Sequence, residues 1–352
     1  MSKQWNSCGI SVDNYFMRQL DYSRFMIISK TPLRMSFVGG GSDLPVFYRE
    51  FGGAVVSTAI DKFVYVTVNK KFDEKIRISY SKTEEAKSVE KVRHPLVRES
   101  LKLLGLTGGV EITSIADIPA KGTGLGSSSS FTVGLLNALH AFANRHASAD
   151  KLARESCEIE IGRCGEPIGK QDQYAAAFGG FSFIQFNQND SVSVEPIICQ
   201  RETIRQLENN LVVFYTGITR SASALLQTQQ NAMASQKAKQ KTMIKMVGLA
   251  RQLKAELQKN NLAAFGEIIH ENWLLKRSLT SEVSNDAIDG WYARARKAGA
   301  IGGKLLGAGA GGFLMFYAPQ EKHDAIRREL KELRPVKFGF ESQGSKIIFV
   351  HD

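Results

Sequence analysis

A chain of 352 residues with 43% hydrophobic and 23% charged residues is long enough for two packed domains and can bury a substantial core. Its net charge of +11 admits nucleic acid, anionic lipid or anionic small molecules; the densest basic runs, 237–245 and 327–334, carry no interleaved aromatic platform, which argues against nucleic acid, and the excess fits phosphorylated substrates, with a solvated surface as its usual cause. No 18-residue apolar run and no signal-like N-terminal segment is present, so a cytoplasmic protein without a membrane partner is expected. The four cysteines (Cys8, Cys157, Cys164, Cys199) lack metal-ligand spacing and read as reduced thiols.

Residues 1–23 are polar and irregular and read as a loosely held tail. From residue 24 the pattern is strand-rich, with apolar or alternating runs at 63–68, 76–80, 110–114 and 181–186. Two helices are predicted between them, at 127–144 and 149–162; the first has an apolar stripe at Phe131, Leu135, Leu139 and Phe142 and reads as strongly amphipathic. The polar segment 188–208 marks a boundary, dividing a first domain at 24–200 from a second at 201–352. The second half predicts a strand at 211–215, helices at 223–257, 262–279 and 287–298, strands at 303–306 and 313–317, a helix at 321–333 and a last strand at 345–350. Strand, helices, strand, strand, helix, strand is the split βαβ, or ferredoxin-like, order, and the fold class is α+β.

Three stretches carry chemistry. Residues 31–45 read T-P-L-R-M-S-F-V-G-G-G-S-D-L-P. Here Arg34 offers a fork of donors for a carboxylate or phosphoryl oxygen, and Asp43, presented by a turn with Gly41 and Ser42, could accept two adjacent sugar hydroxyls. A surface ion pair and a turn or N-cap residue are the plainer readings of the two.

Residues 119–130 read P-A-K-G-T-G-L-G-S-S-S-S and run into the 127–144 helix. Gly122, Gly124 and Gly126 allow a turn with amides pointing inward, and a helix N-terminus favours a phosphate. Lys121, Leu125 and Ser127, Ser128 and Ser129 belong to the same phosphate-binding candidate, the hydroxyls serving either as helix caps or as ligands of a metal carried by the phosphate. A Walker loop would end in Lys-Ser/Thr, and a dinucleotide fingerprint would follow a strand directly; neither fits. Downstream, 165–174 reads G-E-P-I-G-K-Q-D-Q-Y, in which Asp172 is either a helix cap or a reactive carboxylate.

Residues 304–313 (K-L-L-G-A-G-A-G-G-F) form a side-chain-poor loop between strands, with Gly309 and Ala310 at its centre. After the 211–215 strand, Thr216, Gly217 and Arg220 make a polar, basic turn able to close over a substrate and meet an anionic group.

In this order the three stretches resemble the motifs of the GHMP kinases, the superfamily of galactokinase, homoserine kinase, mevalonate kinase and phosphomevalonate kinase. The resemblance spans roughly 30–317. It implies a first domain like the second domain of ribosomal protein S5, a ferredoxin-like second domain, and transfer of the γ-phosphoryl group of ATP with Mg²⁺. It implies Asp172 and Arg34 as catalytic, and Ser128 with a glutamate about eleven residues before Asp172 as metal ligands. Glu160 matches best, with one extra residue intervening, and Glu155 and Glu158 stay open. Gly40 and Gly41 replace the Glu-His pair of galactokinase-like members, so the acceptor is expected to be another sugar. Within the superfamily the stretches look most like the heptose-phosphate branch of the sugar 1-kinases, implying a sugar or sugar phosphate as substrate and leaving the oligomeric state open. A fucose-like sugar 1-kinase, a diphosphate decarboxylase and a non-catalytic sugar-sensing regulator are the alternatives.

Overall fold

The first two strands are the longest of the described residues and form the spine of the molecule, the second of them rich in β-branched and aromatic residues. The computed structural model describes residues 26–118, 122–219 and 222–351, so the tail expected at 1–23 lies outside them. β1 (Met26–Val38) and β2 (Gly53–Lys70) pair antiparallel from Met26↔Asn69 to Val38↔Val56. Their register shifts just after Pro32, which cannot donate to a ladder. Between them, α1 (Pro45–Phe51) starts on a proline whose missing N–H a first helical turn does not need.

The chain continues through β3 (Ile76–Ser79), β4 (Thr83–Ala86), α2 (Pro95–Leu104) and β5 (Val110–Ala116) to α3 (Ser127–Phe142). Then come α4 (Ala149–Cys157), a π-helical turn Glu158–Arg163, α5 (Gln171–Phe178), β6 (Phe181–Phe186) and β7 (Val192–Pro196). The second half holds α6 (Arg201–Asn209), β8 (Leu211–Tyr215), α7 (Ala222–Ser235), α8 (Lys237–Gln258), α9 (Phe265–Arg277) and α10 (Asp286–Lys297). It closes with β9 (Gly302–Leu305), β10 (Phe313–Tyr317), α11 (His323–Glu329), β11 (Arg334–Val336), β12 (Phe340–Glu341) and β13 (Lys346–His351).

The first sheet runs β13-β1-β2-β5-β3-β4, with β6 and β12 also on β2 and β7 on β6. The second runs β11-β8-β10-β9, all antiparallel, which is the ferredoxin-like order. The strand expected to complete this second sheet, at 345–350, instead pairs with β1 from Met26↔His351 to Lys30↔Lys346. Its place is taken by three-residue β11, whose Pro335 masks a strand pattern in the sequence. The polar segment 188–208 is more ordered than expected, containing β7 and most of α6, and the long helix expected at 223–257 breaks at Gln236 into α7 and α8.

α3 is the central helix, and it is not amphipathic. Ser129, Ser130, Thr132, Val133, Leu136 and His140 are buried along with Leu135, Leu139 and Phe142. β1 and β2 cover one side, while α2, α4 and α5 cover the others. Gly134 allows the close fit, since a Cβ there would stand 2.7 Å from Thr31 Oγ1. No helix among the described residues is long and apolar enough to cross a membrane.

Candidate active site

The Gly-Ser stretch packs against the first motif. Gly124 and Gly126 have φ of +76° and +77°, values that glycine adopts without strain. A Cβ on Gly124 would stand 2.4 Å from the Leu306 carbonyl oxygen, so this loop packs against the third motif backbone to backbone. The serines at the start of α3 do not cap it. Ser128 Oγ donates to Glu160 Oε1 (2.8 Å) and Ser129 Oγ to Glu160 Oε2 (2.7 Å), while Gln173 Nε2 donates to Oε2 at 2.6 Å. Ser127 lines the cleft, its buried hydroxyl without a partner among the described residues.

Of the three candidate glutamates, Glu155 pairs with His140 (2.6 Å), Glu158 with Arg163 on the surface (2.6 Å), and Glu160 alone turns to the serines. The π-helical turn explains the register: Cys164 N donates to Ile159 O, an i→i+5 bond, and the wider turn accommodates the extra residue between Glu160 and Asp172. Burial pushes the Glu160 carboxyl above its ordinary range, against the lowering effect of its three donors. A buried carboxylate beside a hydroxyl is an oxygen donor set suited to Mg²⁺, and a cation there would offset the cost of that burial. No cluster of three or more His, Cys, Asp or Glu among the described residues could hold a metal alone. Such an ion would draw its remaining ligands from phosphate and water.

Arg34, on β1, is almost fully buried and grips Asp172 with two bonds, Nε to Oδ1 (2.8 Å) and Nη2 to Oδ2 (2.7 Å). Its Nη1 donates to the Gly124 carbonyl at 2.6 Å, and its backbone N–H to that of Leu125. Asp172 lies in the first turn of α5, directed at Arg34 rather than capping the helix. Asp43 accepts the Gly41 N–H (2.9 Å) and the Gln171 N–H (3.2 Å). Burial, then the nearby Asp172 charge, raise its pKa.

Arg34, Asp43, Asp172, Ser127, Ser128 and Ser129 line one cleft of about 270 Å³, together with Gly122, Gly169, Gln171, Ser223, Gln229, Gly307 and Ala308, while Glu160 is fully buried and not among the lining residues. Other expected residues fall elsewhere. Leu125 and Ser42 are fully buried; the Ser42 hydroxyl exchanges hydrogen bonds with the Ala54 backbone on β2. Thr216 Oγ1 donates to the Gly312 carbonyl, holding the glycine loop, and Gly217 lies next to it outside the cleft lining. Gly309 and Ala310 pack on Val283; the loop reaches the cleft through Gly307 and Ala308 instead. Lys121 and Arg220 lie outside the described residues.

A cationic lining residue was not singled out from the sequence. Lys276 reaches the cleft from α9, nearly buried, its Nζ donating to the Gly307 carbonyl at 2.6 Å. One helical turn earlier, Asn272 accepts the Gly39 N–H at 3.1 Å. A signal was present: Phe265, Ile268, Ile269, Asn272, Trp273 and Lys276 form the buried stripe of α9, and two polar residues on such a stripe invite a question. Lys304, by contrast, is structural, donating to the Ser36 and Phe37 carbonyls at 2.6 and 3.0 Å.

Two family models match the chain. The GHMP kinases N terminal domain matches residues 89–180 and the GHMP kinases C terminal domain matches 253–335. A D-glycero-alpha-D-manno-heptose 7-phosphate kinase of Campylobacter jejuni is 30% identical over 91% of this chain and 98% of its own length. A galactokinase of Pyrococcus furiosus is 26% identical over 86% of this chain and 93% of its own. Among solved structures, a D-glycero-D-manno-heptose 1-phosphate kinase from Bacteroides thetaiotaomicron superposes with a TM-score of 0.76 at 27% identity, covering 93% of this chain and all of that one. Together these relatives mark the chain as a phosphotransferase with an alcohol group as acceptor. The chain belongs to the GHMP kinases.

Proposed function

We propose that this chain transfers the γ-phosphoryl group of ATP, with Mg²⁺, to the anomeric hydroxyl of a heptose phosphate, best D-glycero-D-manno-heptose 7-phosphate, giving the 1,7-bisphosphate. Coarsely it is a sugar kinase of the GHMP family; the acceptor, the metal and a cytoplasmic setting, where ATP is available, are the finer parts of the reading. The observation that carries it is the forked Arg34–Asp172 pair set against the Gly122–Ser129 loop in one cleft with Asp43.

Asp172 takes the proton of the acceptor hydroxyl, and Arg34 fixes the rotamer in which it can do so. Asp43, held by two backbone N–H groups, keeps lone pairs for sugar hydroxyls. The amides after Gly122 and the Ser127 hydroxyl meet nucleotide phosphates at the start of α3. Ser128 and Glu160 would hold Mg²⁺, whose chemistry is to neutralise phosphate charge. Arg220, with other basic groups, is assigned to the phosphate already on the sugar.

The names of the two heptose kinases differ in where the resident phosphate sits, so regiochemistry is part of the test. A coupled assay of ATP consumption across sugars and sugar phosphates, with phosphorus NMR of the product, should show turnover of heptose 7-phosphate and a new anomeric phosphate. Equal turnover of unphosphorylated heptose would refute the phosphate requirement. Preference for fucose would select the fucose-like alternative, supported by the 25% identity to an L-fucokinase/L-fucose-1-P guanylyltransferase of Bacteroides fragilis, of which this chain spans 37%.

A further inference from the structure

Arg34 has little charge to spare. Of its five N–H groups, two are engaged by the Asp172 carboxylate and one by the Gly124 carbonyl, and the ion pair as a whole is neutral. Phosphoryl transfer spreads negative charge over the equatorial oxygens, and enzymes meet it with fixed positive groups. Among the described residues lining the cleft, the one other cationic side chain is Lys276.

Its position is specific. The ammonium is tethered to the Gly307 carbonyl at 2.6 Å. Gly307 in turn abuts the phosphate loop so closely that a Cβ on it would stand 2.3 Å from Gly124 Cα. Gly124 is the residue whose carbonyl holds Arg34. Lys276 thus stands where both glycine loops and the Arg34–Asp172 pair converge, with two N–H groups beyond the one given to Gly307. It makes no ion pair among the described residues. Asn272, one turn back on α9, fixes the first glycine turn, so the helix is anchored on both sides of the cleft.

We propose that Lys276 is a catalytic residue of the phosphotransferase, its ammonium donating to oxygens of the phosphoryl group being transferred and supplying the positive charge that Arg34 commits to Asp172. Burial lowers the Lys276 pKa to about 8; the Asp43 and Asp172 carboxylates raise it and Arg34 lowers it further. A phosphoryl anion would hold the proton in place, so the group acts as a cation and not as a base.

The inference rests on the kinase reading of this cleft, and the test separates the two. Full-length Lys276→Met and Lys276→Arg are compared with the unmodified chain for kcat and KM on whichever sugar it phosphorylates, and for binding of ADP alone and ADP with aluminium fluoride, a mimic of the transferring group. Lys276→Met should bind ADP within about threefold of the unmodified chain, yet lose about 100-fold in kcat and in aluminium fluoride-dependent affinity. Lys276→Arg should recover at least tenfold of that loss. A folded Lys276→Met that keeps both quantities within threefold, or a loss confined to the acceptor KM, would overturn the proposal. Turnover of a sugar other than heptose phosphate would sink the substrate assignment while leaving this comparison valid.

Discussion

Replacing Lys276 by methionine should make the protein more stable at neutral pH, the opposite of what a structural lysine would give. A lysine has an ordinary pKa of 10.5, and burial brings Lys276 to about 8. At about 1.36 kcal/mol per pH unit, carrying that charge in the folded state costs about 3 kcal/mol at pH 7. Methionine removes this cost but leaves the Gly307 carbonyl without its donor, a loss of about 2 kcal/mol. The balance is a gain of about 1 kcal/mol. The sign then reverses with pH. Because the folded pKa lies below the unfolded one, the unfolded chain binds more protons between about pH 8 and 10.5, and the unmodified protein gains stability there while the variant does not. Urea unfolding at pH 7 and pH 10 measures both limbs. The variant should unfold later than the parent at pH 7 and earlier at pH 10. A variant equally destabilised at both values would show that Lys276 is held for packing, and the charge argument would fall.

Asp172→Asn should lower kcat by about 10³-fold, read in a coupled ATP assay, and lower stability, because Arg34 keeps its buried charge while losing its counter-ion. Glu160→Gln should abolish a specific pH dependence. The raised pKa of Glu160 makes its contribution to stability complete below the ordinary carboxylate range and lost as pH climbs through its folded pKa, so thermal midpoints of the parent should fall across that interval more than those of the variant. The same variant should require more Mg²⁺ for half-maximal activity. Gly169→Ala would place a Cβ 1.9 Å from Asp43 Oδ2 and must displace that carboxylate. The acceptor KM should rise about tenfold or more while that for ATP stays within about twofold, the signature of lost acceptor binding.

The chemistry of the cleft was more legible than the path of the backbone. Motif order and turn chemistry bring Arg34, Asp43, Asp172 and Ser128 to notice, because glycine-rich turns and an acid or hydroxyl at fixed offsets are local signals. Glu160 needed a count of residues that a regular helix would have put out of step; the π-helical turn restores it, and no propensity announces such a turn. Pairing partners are non-local, which is why β13 was legible as a strand while its sheet was not. α3 shows a second gap. Its Leu135–Leu139 stripe is real, but the small polar residues on its other faces are also buried, because β1, β2, α2, α4 and α5 enclose it. Periodicity identifies a face that must be covered and is silent about covers on the remaining faces.

Lys276 shows how two weak signals combine. On its own the α9 pattern offers a lysine on an apolar stripe, for which a snorkelling stem is the common explanation. The 304–313 stretch alone offers glycines whose close approach to something is required. The structure joins them: the carbonyl that a side-chain-free Gly307 leaves open is the acceptor that fixes the ammonium. A side chain on Gly307 would strike Gly124 and part the two loops, so the loop composition and the lysine position are one requirement seen from two segments. The glycines therefore serve two purposes: they let the two loops close on each other, and they leave open the carbonyl that holds the Lys276 ammonium.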